Sequence, residues 1–374
     1  MKKLSISQIS TFFANGSYPI EFLFYFPHKI NTIRLRRSLK KISNHFWPVF
    51  GTYTDGYITE KTYLEDRHYD INSVDDVFDP KSVRESLHEN FGAISPELTS
   101  RLFHLKVLQY NNGTVLIAKM NHLVGDGYSY FFLLSVLAAI NKRGRIPLVP
   151  SIIKAIFRPK FSSTFNTSFH FSESPPDAIK YDNNLAVEFL ELEQSEIRNL
   201  AKHASYSSGL RISTNDILSA QVVKIIMESR KNKQLENLQL VIPIDVRRRI
   251  AELGWKFFGN GLILHNVPFQ PEIVSQSSIE ELAITIRKSL PVVNRHNYEV
   301  YLKKVEGWIE SGQLDLLRPY NPDRECLVTN LTRMPVTKLD FGSGTPTIIA
   351  PLTMGRSGAA VLAQDDKFIL RLVR

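Results

Sequence analysis

Two side chains in this sequence have the types and spacing of a proton-transfer site. They are His122 and Asp126, in the stretch Met120-Asn121-His122-Leu123-Val124-Gly125-Asp126-Gly127. An imidazole with an ordinary pKa of about 6.5 suits a general base at neutral pH when a rigid element aims it into a cleft. A His and an Asp four apart also commonly form a local hydrogen-bonded pair, and on one helical face they would offer two metal ligands. Gly125 and Gly127 favour a turn over a helical face, and nothing nearby completes a zinc site. On these residues alone, a base and a structural pair both stand.

The flanking sequence says how the pair would be held. Leu102 to Tyr110 and Thr114 to Met120 read as strands joined at Asn112-Gly113, which predicts a tight type I′ hairpin. Tyr128 to Ile140 is an almost wholly apolar run of helical length, predicting a buried helix that ends near Gly144. His122 therefore falls where a strand ends, and Asp126-Gly127 turns the chain into the helix.

Before this centre, Glu21 to Phe26 reads as a strand and Asn31 to Phe46 as an amphipathic helix. Arg34, Arg36, Arg37, Lys40 and Lys41 lie on the solvated side of that helix. Val49 to Tyr53 and Tyr57 to Tyr63 predict a hairpin around Asp55-Gly56, and Ser82 to Phe91 a short helix. From Gly144 to Asn184 the composition turns to Pro and Ser, the signature of a long connection between domains, with one helical turn at Ile152 to Phe157. Beyond it, Leu185 to Leu192 reads as a strand and Ser195 to Ala204 as a helix. A longer helix, Asn215 to Ser229, is capped by Ser213 or Thr214. Leu238 to Val246 and Gly261 to Phe269 are strands, and Ser278 with Glu281 forms a capping box opening a helix to about Lys288. The remainder reads as β-rich: Cys326 to Leu331, Thr337 to Phe341, Thr345 to Ile349, Ala359 to Gln364 and Phe368 to Val373.

With 374 residues the chain exceeds the size at which a single core stops growing, so two domains are expected. Helices and strands mix in both halves, giving an α/β (mixed α+β) class. The boundaries are 1–144, a crossover loop at 145–184, and 185–374. Hydrophobic residues at 43% support a packed core and argue against disorder. The single cysteine, Cys326, excludes an internal disulfide and suits a reducing compartment, and with no apolar leader a cytoplasmic protein is expected. The net charge of +9 favours anionic partners, yet the basic residues are scattered and no nucleic-acid motif appears. Neither nucleic acid nor a membrane span is expected. A phosphorylated substrate is a fitting use of the charge.

Together these segments resemble a family. His122-Leu123-Val124-Gly125-Asp126-Gly127 is similar to the HxxxDG motif of the BAHD acyltransferases, the acyl-CoA-dependent branch of the chloramphenicol-acetyltransferase-like superfamily. Further segments follow in the family's order. Ile6 to Ile9 with Phe22 to Tyr25 resembles the opening segment, and Ser38 to Ile42 the first helix leading to Pro48-Val49-Phe50-Gly51. Ser213 to Ala220 resembles the helix after the crossover loop. Asp245-Val246-Arg247-Arg248-Arg249 with Phe258-Gly259-Asn260 resembles the DxRxR and YFGN pair. Thr329 to Pro335 with Asp340-Phe341-Gly342-Ser343-Gly344 resembles the TSWxRLP and DFGWG segment.

The resemblance covers about Ile6 to Pro346 and implies two chloramphenicol-acetyltransferase-like domains with a solvent channel between them. It implies acyl transfer from acyl-CoA to a hydroxyl or amine of a small-molecule acceptor, directly through a ternary complex. His122 is then the base, and Asp126 a motif partner that pairs with Arg247. Gly127, Arg247, Asp340, Gly342 and Gly344 are implied structural-motif residues. Acyl-CoA is implied as co-substrate, with no permanently bound cofactor and no metal, in a monomer of secondary metabolism. Leu331 stands where many members carry a tryptophan able to hydrogen-bond the oxyanion, which makes Thr329 and Asn330 the nearby candidates for that donor. Ser343 replaces the tryptophan of DFGWG. Two other readings are a condensation-type transferase using a carrier-protein thioester, against which Asn121 argues, and a non-catalytic binding protein of the same fold.

Overall fold

An aromatic strand, β2 (Ile20–Phe26), is buried at every position, because sheet neighbours cover its flanks and helices one of its faces. The computed structural model describes residues 3–5, 10, 12–13, 19–79, 101–144, 187–230, 238–251, 253–254, 257–312, 319–336, 339–352 and 355–373. The helix expected at Ser82 to Phe91 and the crossover loop expected at 145–184 lie outside them, as does the expected opening segment Ile6 to Ile9. The chain forms two compact units. The first comprises 1–160, 251–261 and 334–353; the second comprises 161–250, 262–333 and 354–374.

In the first unit a mixed five-stranded sheet runs β12-β2-β7-β6-β5, with β5 (Tyr69–Ser73), β6 (Phe103–Tyr110), β7 (Gly113–Met120) and β12 (Ile348–Pro351). β2 is antiparallel to β7 with Phe22 opposite Ala118, and β5 is parallel to β6. Helix α1 (Thr32–His45) is capped by Asn31, whose side chain accepts the Arg34 N–H at 2.9 Å, and it buries Leu35, Leu39 and Ile42. Its five arginines and lysines are exposed, as the periodicity predicts. A 3₁₀ turn (Trp47–Phe50) leads to β3 (Thr52–Thr54) and β4 (Tyr57–Thr59). These two strands meet at Asp55-Gly56, where both residues have the positive φ that a type I′ turn requires. β1 (Lys3–Ser5) adds to β4. The four-residue helix α2 (Glu65–His68) precedes β5. The long helix α3 (Gly127–Arg143) packs its rings on the sheet: Phe131 meets Phe22 edge-on at 5.1 Å between centroids, and the Tyr130 hydroxyl donates to the Ala118 carbonyl at 2.7 Å. Gly144, with φ of 69°, ends it.

In the second unit a mixed six-stranded sheet runs β10-β9-β11-β13-β14-β8. Its strands are β8 (Val187–Glu193), β9 (Leu238–Asp245), β10 (Leu262–Phe269), β11 (Glu325–Asn330), β13 (Gly358–Gln364) and β14 (Lys367–Val373). The helices are α4 (Gln194–Ser208), α5 (Thr214–Ser229), α6 (Pro271–Gln276), α7 (Ile279–Ser289) and α8 (Arg295–Glu310). Residues from α4, α5 and α7, among them Ile197, Ile217, Val222, Leu282 and Ile286, close over Leu240, Val328, Val361 and Leu370 of the sheet. Both helix starts marked by capping residues are present as reciprocal boxes, Ser213 with Asp216 and Ser278 with Glu281.

Several expectations are corrected. The β6–β7 hairpin forms, but Tyr110 pairs with Gly113, so the turn is Asn111-Asn112, and neither has positive φ. Gly113 is required for another reason: a Cβ there would lie 2.3 Å from the Phe26 carbonyl oxygen of the neighbouring strand. Leu339 to Phe341 is not a strand, because Asp340 turns the chain, and the strand expected over 345–349 begins at Ile348. Val49 and Phe50 belong to the 3₁₀ turn, and the second strand of that hairpin stops at Thr59 instead of Tyr63. Helix α8 occupies a stretch to which the sequence pattern assigned no element.

Candidate functional site

The centre is built at the end of β7. Asn121 keeps the sheet going by donating its N–H to Leu102 at 2.8 Å, then breaks it, its Oδ1 accepting the Leu123 N–H at 2.8 Å. This Asx turn puts His122 just beyond a buried strand. Asp126 follows as the N-cap of α3. Its Oδ1 accepts the Ser129 N–H at 3.1 Å and its Oδ2 the Gly261 N–H at 2.9 Å, while its own N–H reaches the Gly259 carbonyl at 3.3 Å. Ser129 Oγ accepts the Gly259 N–H at 2.9 Å. Asp126 is 2% exposed, and its carboxylate, which also accepts the Ser129 hydroxyl at 3.2 Å, binds α3 and the 259–261 segment into one turn. Gly127 is the first residue of α3.

His122 is half-buried, and its Nδ1 is shut off from solvent and, among the described residues, has no hydrogen-bond partner of normal geometry. Desolvation lowers its pKa below the ordinary value, opposed by the Asp126 charge and the Asn260 side chain. The downward shift favours the neutral imidazole. Asn260 donates from Nδ2 to the His122 carbonyl at 2.7 Å.

The other implied residues are placed as follows. Asp340 Oδ1 accepts the N–H groups of Gly342 at 2.7 Å and Gly344 at 3.3 Å, and Oδ2 pairs with Lys142 in the last turn of α3. Gly342 and Gly344 have φ of 99° and 95°, which is why both are glycine. Asn141 donates to the Phe341 carbonyl, fastening this loop to α3. In the second unit, buried Arg247 pairs through Nη1 with Asp245 at 3.2 Å. Asn330 ends β11 with its carboxamide engaged, Nδ2 donating to Asn215 and Oδ1 accepting the Thr332 N–H at 3.0 Å. Thr329 is half-buried, and among the described residues its hydroxyl has no partner. Leu331 is buried. Burial pushes the Cys326 thiol up to about 12, which suppresses any thiolate.

The first unit thus brings together His122, Asp126 and Gly127 with Asn260, and separately joins Asp340, Gly342 and Gly344 to α3. Sequence reasoning took Asn260 only as a motif letter, and it missed Ser129 and Asn141. Their signal was their place, at the third position after a capping aspartate and one turn before a C-cap glycine. Among the described residues, no group of three His, Cys, Asp or Glu could hold a metal, and no helix is long and apolar enough to cross a membrane.

Residues 69–370 match the Transferase family. The chain belongs to this family, the BAHD-type acyltransferases. Hydroxycinnamoyltransferase 1 of Oryza sativa subsp. japonica is 22% identical over 381 aligned residues, covering 89% of this chain and 81% of that protein. Anthranilate N-benzoyltransferase protein 2 of Dianthus caryophyllus is 24% identical over 264 residues, 66% of this chain and 58% of that protein's length. The crystal structure of F. graminearum TRI101 complexed with ethyl coenzyme A superposes with a TM-score of 0.79. It is 11% identical and covers 100% of this chain and 94% of that one, a likeness in fold. The two mixed sheets with their helices are thus the acyltransferase fold that the motifs implied.

Proposed function

We propose that this acyltransferase moves an acyl group from acyl-CoA to a hydroxyl or amine of a small-molecule acceptor, with His122 as general base. The observation that carries the reading is the placing of the His122 imidazole, just beyond the end of a buried strand and in a turn pinned by Asp126. With Nδ1 walled off, Nε2 is the nitrogen that takes the acceptor's proton as its oxygen or nitrogen attacks the thioester carbonyl. The tetrahedral intermediate collapses, the C–S bond breaks, and the proton passes from His122 to the CoA thiolate. Proton transfer of this kind contributes about 10²–10⁴-fold. Asp126 acts as a clamp on the turn. Thr329 is the candidate oxyanion donor, since the Asn330 carboxamide is engaged in a turn and in the Asn215 contact. Direct transfer leaves Cys326 without a covalent role.

The test is thiol release from a panel of acetyl-, benzoyl- and hydroxycinnamoyl-CoA, with and without hydroxyl and amine acceptors, read by mass spectrometry of the products. Acceptor-dependent release with no carrier protein is expected. Release only from carrier-protein thioesters would replace this reading with condensation-type chemistry. With an active pair in hand, Thr329→Val is expected to lower turnover by roughly 10²–10³-fold, the usual effect of removing an oxyanion donor. An unchanged rate would remove Thr329 from the mechanism.

A further inference from the structure

Asn260 reaches the proposed base from 138 positions further along the chain. One end of its carboxamide is fixed: Nδ2 donates to the His122 carbonyl at 2.7 Å and to Ser10 Oγ at 3.4 Å, so the amide cannot turn over without losing both. The other end, Oδ1, is buried and, among the described residues, has no hydrogen-bond partner of normal geometry. The same holds for Nδ1 of His122, the residue to which Asn260 is already tied. Two desolvated polar atoms on adjoining side chains, one of them able only to accept, are accounted for when each serves the other. The Asn260 side chain also favours the protonated ring, as a carbonyl oxygen beside a ring N–H does. Asp126 is placed for a different task, its two oxygens accepting the N–H groups of Ser129 and Gly261.

We infer that Asn260 is the positioning residue of the histidine: its Oδ1 accepts the Nδ1–H of His122, which fixes the tautomer and leaves the Nε2 lone pair to receive the acceptor's proton. The inference rests on the reading of His122 as the base and deepens it. A carboxamide in this role orients the ring without adding the negative charge that would hold the imidazole protonated near neutral pH.

The test needs no known substrate. In protein carrying ¹⁵N-histidine, the His122 ring signals are assigned by their loss in His122→Ala, and tautomer and titration are read by ¹H–¹⁵N NMR. The wild-type neutral ring should be protonated on Nδ1. Asn260→Leu should lose that preference, and Asn260→Asp, nearly the same shape, should raise the midpoint by one pH unit or more, with circular dichroism checking that each variant folds. With an active acyl-CoA pair from the panel, Asn260→Leu should lower kcat tenfold or more with KM for acyl-CoA unchanged. Asn260→Asp should recover part of kcat with the acid limb moved to higher pH. A wild-type ring protonated on Nε2 would overturn the inference, as would a midpoint untouched in Asn260→Asp. Retained turnover in His122→Ala would instead overturn the base, leaving the tautomer result to stand or fall by itself.

Discussion

The first unit uses one device twice, at the two ends of α3. At the N-terminus, Asp126 accepts the N–H groups of Ser129 and Gly261; beside the C-terminal turn, Asp340 accepts those of Gly342 and Gly344 and pairs with Lys142. Each aspartate ties a later segment of the chain to the helix. They differ in burial. Asp126 is 2% exposed, whereas the Asp340 side chain keeps 23% of its surface in water. The proposed base is found only beside the buried one. The difference teaches that two equally conspicuous Asp-Gly motifs can share a structural role and still differ in what they cost to lose.

The largest expected effect is at the buried end. Asp126→Ala removes an N-cap and leaves buried backbone donors unsatisfied, a loss of about 2–5 kcal/mol. The melting temperature, followed by circular dichroism, should fall by roughly 5–15 °C. A variant that melts like the wild type and is nonetheless inactive would place Asp126 in the chemistry and break the comparison.

A third acidic group sharpens it. Glu21 on β2 is also buried, but burial pushes its carboxyl up to about 7, with Lys119 and Lys106 opposing the shift. Its folded pKa lies above the ordinary carboxylate value, so the unfolded chain releases the proton first. Its contribution is intact below about pH 4.5 and is lost as pH rises to about 7. Glu21→Gln should therefore match the wild type in urea unfolding at pH 4.5 and gain on the order of 1–3 kcal/mol at pH 8. Equal stabilities at pH 8 would show that Glu21 ionises freely in the folded state.

The smallest effect belongs to the exposed end. Asp340→Ala should cost about 1 kcal/mol or less, as exposed ion pairs do. The Lys142 hydrogen bond, with help from the Gly342 and Gly344 N–H groups, holds the Asp340 carboxyl below its usual range. Its stabilisation is therefore present above the unfolded-state value and fades as pH falls through the lowered one. A double-mutant cycle with Lys142→Ala measures the coupling. A loss as large as that of Asp126→Ala would erase the distinction between the two ends.

The strand, turn and helix around His122 were legible because each carries a local signal: alternation in β6, Gly at the C-cap of α3, and a capping Asp at its start. The β6–β7 turn was misread because Gly113 answers to Phe26 on a neighbouring strand, and no local pattern reports a neighbour. Helix α8 was legible in principle, since Tyr298, Tyr301 and Val305 recur at helical spacing behind the Asn294 cap, but exposed polar residues dilute the stripe. Asn260 was out of reach as a residue with a role. Its sequence neighbours belong to a different sheet's strand, and only folding brings 251–261 to the first unit.

The central claim is that His122 performs the chemistry while Asp126 holds its turn. The most direct measurement pairs thiol release from the best acyl-CoA with thermal melting of His122→Ala. Turnover is predicted to fall by about 10²–10⁴-fold, with melting close to wild type and CoA binding retained by calorimetry. Turnover within a few-fold of wild type in a folded His122→Ala protein would contradict it.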